Sequence, residues 1–118
     1  MEARALKKNI RLSPRKMRLV IDLIRGKKAN EALTMLRFHP KHAAHEAEMV
    51  LRSAIANLNN KANDEGIRIR DEEIVIKTIK ADNAAFFKRM RPRAKGMGNR
   101  IRKRSNHLTI VVGMEDNK

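Results

Sequence analysis

Apolar residues recur at helical spacing in three successive stretches of the chain, and the strand-like runs lie before and after them. The first helix is announced by Ser13-Pro14, an N-cap hydroxyl followed by a proline suited to the first helical turn. Met17, Val20, Ile21 and Ile24 then form one stripe, and Gly26 stands where a left-handed residue closes a helix. A second, shorter helix is expected over Ala29–Phe38, with Ala32, Leu33, Leu36 and, at its margin, Met35 on one side and His39-Pro40 as its stop. The third is the most regular. From Lys41 to Asn60, Ala44, Ala47, Val50, Leu51, Ala54, Ile55 and Leu58 follow steps of three and four, and the alanines allow a close approach to a sheet or another helix. Glu46 and Glu48 place acid near its start, where the helix dipole favours it.

Met1–Leu12 interleaves Ala3, Ala5, Leu6 and Ile10 with Arg4, Lys7, Lys8 and Arg11, and reads as an edge strand whose cations face outward. Glu73–Lys80 (EIVIKTIK) and Leu108–Val112 (LTIVV) are rich in β-branched residues and read as strands. Asn59–Glu73 is polar and holds much of the chain's acid, so it is expected to be a surface loop, with Ile67 and Ile69 resting on the core. Between the last two strands, Gly96 and Gly98 bracket Met97 a few residues after Pro92, which is reversal chemistry at the middle of a long hairpin. The expected fold class is α+β: a small three-helix body packed on a small antiparallel sheet, with a long extended β-hairpin. It forms a single domain, 1–118, with the body at 1–82 and 108–118 and the basic hairpin protruding over about 83–107.

Charge decides what such a hairpin is for. The 118 residues carry 28 Lys and Arg against 13 Asp and Glu, a formal net charge of +15. No acid falls between Asn83 and Met114, while Lys88, Arg89, Arg91, Arg93, Lys95, Arg100, Arg102, Lys103 and Arg104 do. A segment of this kind repels itself and buries little apolar surface, so it is expected to be held straight by a polyanion or to stay mobile. Arginine outnumbers lysine there, which suits bidentate phosphate contacts. Phe86 and Phe87 are the only aromatic platforms near it, too few for single-strand readout, so folded RNA read by shape and backbone fits better. A rival reading, a basic DNA-binding protein using Ser13–Gly26 as recognition helix, leaves the ribbon unexplained unless it too lies in a groove.

Catalysis finds no foothold. Ser13, Ser53 and Ser105 lack a nucleophile-elbow context, and Gly96-Met97-Gly98 lacks the lysine and hydroxyl residue of a phosphate-binding loop. His42 and His45 share a helix face with Glu46 beside them, but no third metal ligand is evident and a solvated pair is the plainer reading. Without cysteine there is no disulfide framework, and no apolar run approaches the roughly 20 residues of a membrane span.

Several blocks together resemble the L-twenty-two family of large-subunit ribosomal proteins: Ser13-Pro14-Arg15-Lys16 with RLVIDLIRGKK (Arg18–Lys28), SAIANLNN (Ser53–Asn60), KRMRPRAKG (Lys88–Gly96) and RIRKRSNHLTIVV (Arg100–Val112). The resemblance implies a body bound to large-subunit rRNA, a role in assembly, and a hairpin that reaches inward to line the polypeptide exit tunnel. Carried onto this chain, it makes Arg91, Pro92, Arg93, Ala94, Lys95, Gly96, Met97 and Gly98 the tip near the tunnel wall. Lys88, Arg89, Arg100, Arg102, Lys103, Arg104 and His107 become the rRNA-binding shaft. The basic surface of the N-terminal arm and first helix supplies a second rRNA contact, through Arg4, Lys7, Lys8, Arg11, Arg15, Lys16, Arg18, Arg25, Lys27 and Lys28. The implied partners are large-subunit rRNA, neighbouring ribosomal proteins and the nascent polypeptide at the tip. No cofactor, metal, membrane or homo-oligomer is expected, and the expected location is the cytoplasm.

Overall fold

The computed structural model describes residues 1–84, 87–92, 98–103 and 105–114, of which 87–92 and 98–103 are described as backbone. In chain order the elements are β1 (Glu2–Ile10), α1 (Pro14–Ile24), α2 (Ala29–Arg37), α3 (His42–Asp64), a single 3₁₀ turn (Asp71–Glu73), β2 (Ile74–Asn83), β3 (Phe87–Pro92), β4 (Gly98–Lys103) and β5 (Asn106–Met114). The α+β architecture read from the sequence is the one observed. A three-stranded antiparallel sheet in the order β1-β5-β2 is packed by the helices, and β3 pairs with β4 in a separate two-stranded ribbon.

The helix starts and stops follow the local chemistry. Ser13 Oγ accepts from the Lys16 amide at 3.3 Å, Pro14 opens α1, and Gly26 has φ +75°. The apolar stripes of the three helices turn inward, with Met17, Ile21, Ile24, Ala32, Ala44, Ala47, Leu51, Ala54 and Leu58 fully buried. They meet Leu108, Ile110 and Val112 of β5, Ile76 and Ile79 of β2, and Ala5 of β1. Burying a large aliphatic side chain contributes about 1.5–3 kcal/mol each, so this layer holds the body together.

The three strands differ in how their alternation runs. β5 keeps one phase, Leu108, Ile110 and Val112 all pointing to the core. β2 changes phase, from Ile74 and Ile76 to Ile79 and Ala81, across a register shift between Ile76 and Thr78. β1 shifts between Lys7 and Ile10, where Asn9 takes φ 58° and lets Ile10 turn inward after Ala5. A bulge is the device that changes the inward phase of a strand without ending it.

Three expectations need correction. α3 does not end at Asn60: it continues to Asp64 because Ala62, one turn beyond Leu58, is also buried. The expected loop therefore begins six residues later than Asn59 and contains the 3₁₀ turn. Of the two loop isoleucines, Ile69 packs against the core, whereas Ile67 is 42% exposed.

Candidate nucleic-acid interface

The cations of the N-terminal arm and first helix fall into two groups. Arg4, Lys8, Arg11, Arg15 and Lys16 are exposed. Lys7, expected to face outward with them, instead forms an ion pair with Glu46 of α3. Arg18 and Arg25 are turned toward the sheet. Arg18 Nη2 donates to the Ala81 carbonyl at 2.9 Å and Arg25 Nη1 to the Ile79 carbonyl at 2.6 Å, while Arg25 Nη2 meets Asp22 at 3.2 Å.

Those contacts have a structural purpose, because β2 is an edge strand with a row of backbone groups facing away from β5. The Ile76 amide donates to the Lys27 carbonyl, Lys28 bridges Val75, and the two arginines cap the carbonyls further along. The segment that follows α1 thus closes an edge that would otherwise be open to pairing with another chain. The side chains of Lys27 and Lys28 remain exposed beside it.

In the ribbon, the β3–β4 register runs from Phe87 opposite Lys103 to Pro92 opposite Gly98, with Lys88 opposite Arg102 and Met90 opposite Arg100. Lys88 and Arg102 are the one pair of basic residues set opposite each other in this register, and like charges so placed disfavour pairing unless counter-charge intervenes. Arg91 and Pro92 end β3 and Gly98 begins β4. Arg93, Ala94, Lys95, Gly96, Met97 and Arg104 lie outside the described residues.

At the ribbon's root the main sheet is still paired, Asn83 with Asn106 and Asp82 with His107. His107 Nδ1 accepts from the Asn9 amide at 3.0 Å, and Asn106 Nδ2 donates to the Leu12 carbonyl at 2.9 Å. The ring of His107 therefore braces the bulge of β1, and its second nitrogen is the one left for a ligand. Asn106 is fully buried, and its Oδ1 has no hydrogen-bond partner. The bracing by His107, Arg18 and Arg25 escaped sequence reasoning, since each partner is 54 or more residues away along the chain.

His42 and His45 sit on the exposed side of α3, and His42 Nε2 lies 3.7 Å from Glu46. Among the described residues no three potential ligands gather as a metal site, and no helix is long and apolar enough to cross a membrane.

A small α+β body carrying one basic surface, together with a two-stranded ribbon rich in basic positions, is the anatomy of a protein built to contact a polyanion. Residues 5–113 match the family described as Ribosomal protein L22p/L17e. The chain is 45% identical over 116 residues to a protein of Bifidobacterium animalis subsp. lactis called large ribosomal subunit protein uL22, with 98% of each chain covered. It is 46% identical over 112 residues to the uL22 of Herpetosiphon aurantiacus and 47% identical over 112 residues to that of Acholeplasma laidlawii, covering at least 95% of each chain. The chain belongs to the L22p/L17e family of ribosomal proteins.

Proposed function

We propose that this protein is a structural constituent of the large ribosomal subunit in the cytoplasm of a bacterium, where it binds rRNA and supports assembly. The observation that carries the reading is the family match over residues 5–113, which takes in the body and the basic ribbon together. The protein acts by geometry and charge and catalyses nothing. Exposed Arg4, Lys8, Arg11, Arg15, Lys16, Lys27 and Lys28 contact rRNA phosphates from the body. Lys7, Arg18 and Arg25 serve the fold first and reach RNA only with donors left over. Lys88, Arg89, Arg100, Arg102, Lys103 and Arg104 make the ribbon's shaft, and counter-charge from rRNA relieves the repulsion between Lys88 and the opposed Arg102. Residues 91–98 form the tip that lines the polypeptide exit tunnel and meets the nascent chain. The body's neighbours are other ribosomal proteins, and no copy of itself.

Sedimentation of a lysate through a sucrose gradient after a high-salt wash tests the core of this reading, with the protein followed by mass spectrometry. Retention in stoichiometric amount with the large subunit is the expected result; release to light fractions or migration with DNA would overturn it. Deletion of Arg91–Gly98 tests the tip separately. It is expected to leave incorporation intact and to alter the tunnel wall, and an unchanged tunnel lining would exclude the tip's role.

A further inference from the structure

Among the described residues the most exposed large apolar side chain is that of Phe38, at 78%. Phe38 closes α2, where its amide donates to the Thr34 carbonyl and the following His39 amide to that of Leu36, each at 3.3 Å. Pro40 then fixes the backbone of the turn into α3, and His39 Nδ1 accepts from the Lys41 amide at 3.3 Å. The ring is thus carried outward on a corner whose backbone is tied on both sides. The Arg37 guanidinium backs one face of it, 5.9 Å from the ring centre, a cation over an aromatic face.

The corner is also basic. No Asp or Glu occurs from Ala32 to His45, and Arg37, Lys41 and His42 are exposed beside half-buried His39. Among the described residues neither Arg37 nor Lys41 has an acidic partner, while Glu46, the first acid of α3, pairs with Lys7 of β1 and lies 3.7 Å from His42. An apolar protein surface could cover Phe38 together with Met35, but it would strip water from Arg37 and Lys41 and supply no counter-charge. A nucleotide meets both needs. Its base lays a flat π surface on the ring, and its phosphates carry the missing negative charge.

We propose that Phe38 is a stacking platform for one unpaired base of large-subunit rRNA. The base lies on the ring face away from Arg37, so that guanidinium, ring and base form one stack, and Lys41 takes a flanking phosphate. This contact is separate from the basic surface of the N-terminal arm and first helix and from the ribbon, and it places an unpaired base, rather than a helix backbone, at the corner between α2 and α3. The proposal rests on the ribosomal reading for the identity of the RNA.

The test is filter binding of the whole chain to protein-free large-subunit rRNA at several salt concentrations. Phe38→Leu keeps an apolar side chain and removes the ring. It is expected to weaken binding about tenfold, with the slope of log affinity against log salt equal to the parent's because no charge is lost. Phe38→Tyr keeps the ring and is expected to bind as the parent does. Both variants should melt with the parent, since the side chain is exposed. Parent-like binding by Phe38→Leu, or equal losses from the two variants, would overturn the stacking site and leave the ribosomal reading standing. A parent chain that binds duplex DNA as tightly as this rRNA would overturn both. A cryo-EM structure of large subunits that carry the chain gives a second readout, a nucleobase parallel to the Phe38 ring at about 3.5 Å. A protein side chain or solvent against that ring would refute the site.

Discussion

Ala54 is wholly buried on the face of α3 that meets the sheet, with no room for a hydration shell. Ala54→Asp should therefore destabilise the protein by about 3 kcal/mol or more, because an unpaired carboxylate is left in an apolar layer. Urea unfolding followed by circular dichroism checks this, and a loss under about 1 kcal/mol would mean the layer opens easily to water. Arg25 presents the opposite lesson. Its sequence context, next to Gly26, Lys27 and Lys28, reads as a solvated cation, yet its guanidinium caps the Ile79 carbonyl. Arg25→Ala should cost about 1 kcal/mol, a hydrogen bond with a charged donor discounted for a half-exposed side chain. The midpoint in urea at fixed slope is the readout. No local signal marks this role, because the carbonyl it meets is 54 residues away and belongs to a strand recognised only by its β-branched composition.

At the scale of elements, the helices were legible because steps of three and four recur without interruption, and the structure places most of those residues inside, Leu33 and Ile55 only in part, while Met35 is 40% exposed. The end of α3 was not, since Asn59, Asn60 and Asn63 carry turn chemistry that the single buried Ala62 overrides. Strands β2 and β5 were visible as composition, but neither the bulge of β1 nor that of β2 could be read. A phase change needs the partner strand to define it, and the partner of β1 lies at the far end of the chain. The bulge at Asn9 carries a testable cost. Asn9→Val should destabilise the sheet by about 1–2 kcal/mol, as a β-branched residue is held at φ 58°. Faster hydrogen exchange at the β1 amides paired with β5 would accompany it. An exchange pattern unchanged from the parent protein would mean that Asn9 can leave the left-handed region without loosening Ile10.

The whole molecule consists of a packed body and a separate two-stranded ribbon in which Lys88 stands opposite Arg102. The sequence leads to an expectation of a body and a hairpin with separate roles, because an acid-free run flanked by β-branched strands has few other uses. It predicts a dissociation of effects. Arg102→Ala should leave the melting of the body unchanged while weakening binding to large-subunit rRNA, with the slope of log affinity against log salt reduced by about one. Thermal unfolding together with filter binding at several salt concentrations decides the matter, and a melting loss as large as that of Ala54→Asp would merge what is here separated. The candidate surface on the body was only half legible. Arg4, Lys8, Arg11, Arg15 and Lys16 are where charge alone would place them, whereas Lys7, Arg18 and Arg25 are engaged in contacts that depend on tertiary structure.

Strand β5 divides the sheet, with β1 on one side and β2 on the other, so neither of those strands touches the other. Their common partner is also the last of the described elements to be made. While this protein is itself being synthesised, β1 and β2 leave the ribosome with their pairing groups unmet, and the helices have no completed layer on which to settle. Pairing at such sequence separation is slow and comes late. The birth of the fold is thus an all-at-once event, triggered when residues 106–114 emerge. A chain cut short anywhere before Asn106 lacks the strand that joins β1 to β2 and should be more open to proteases, which limited proteolysis of such a truncation checks.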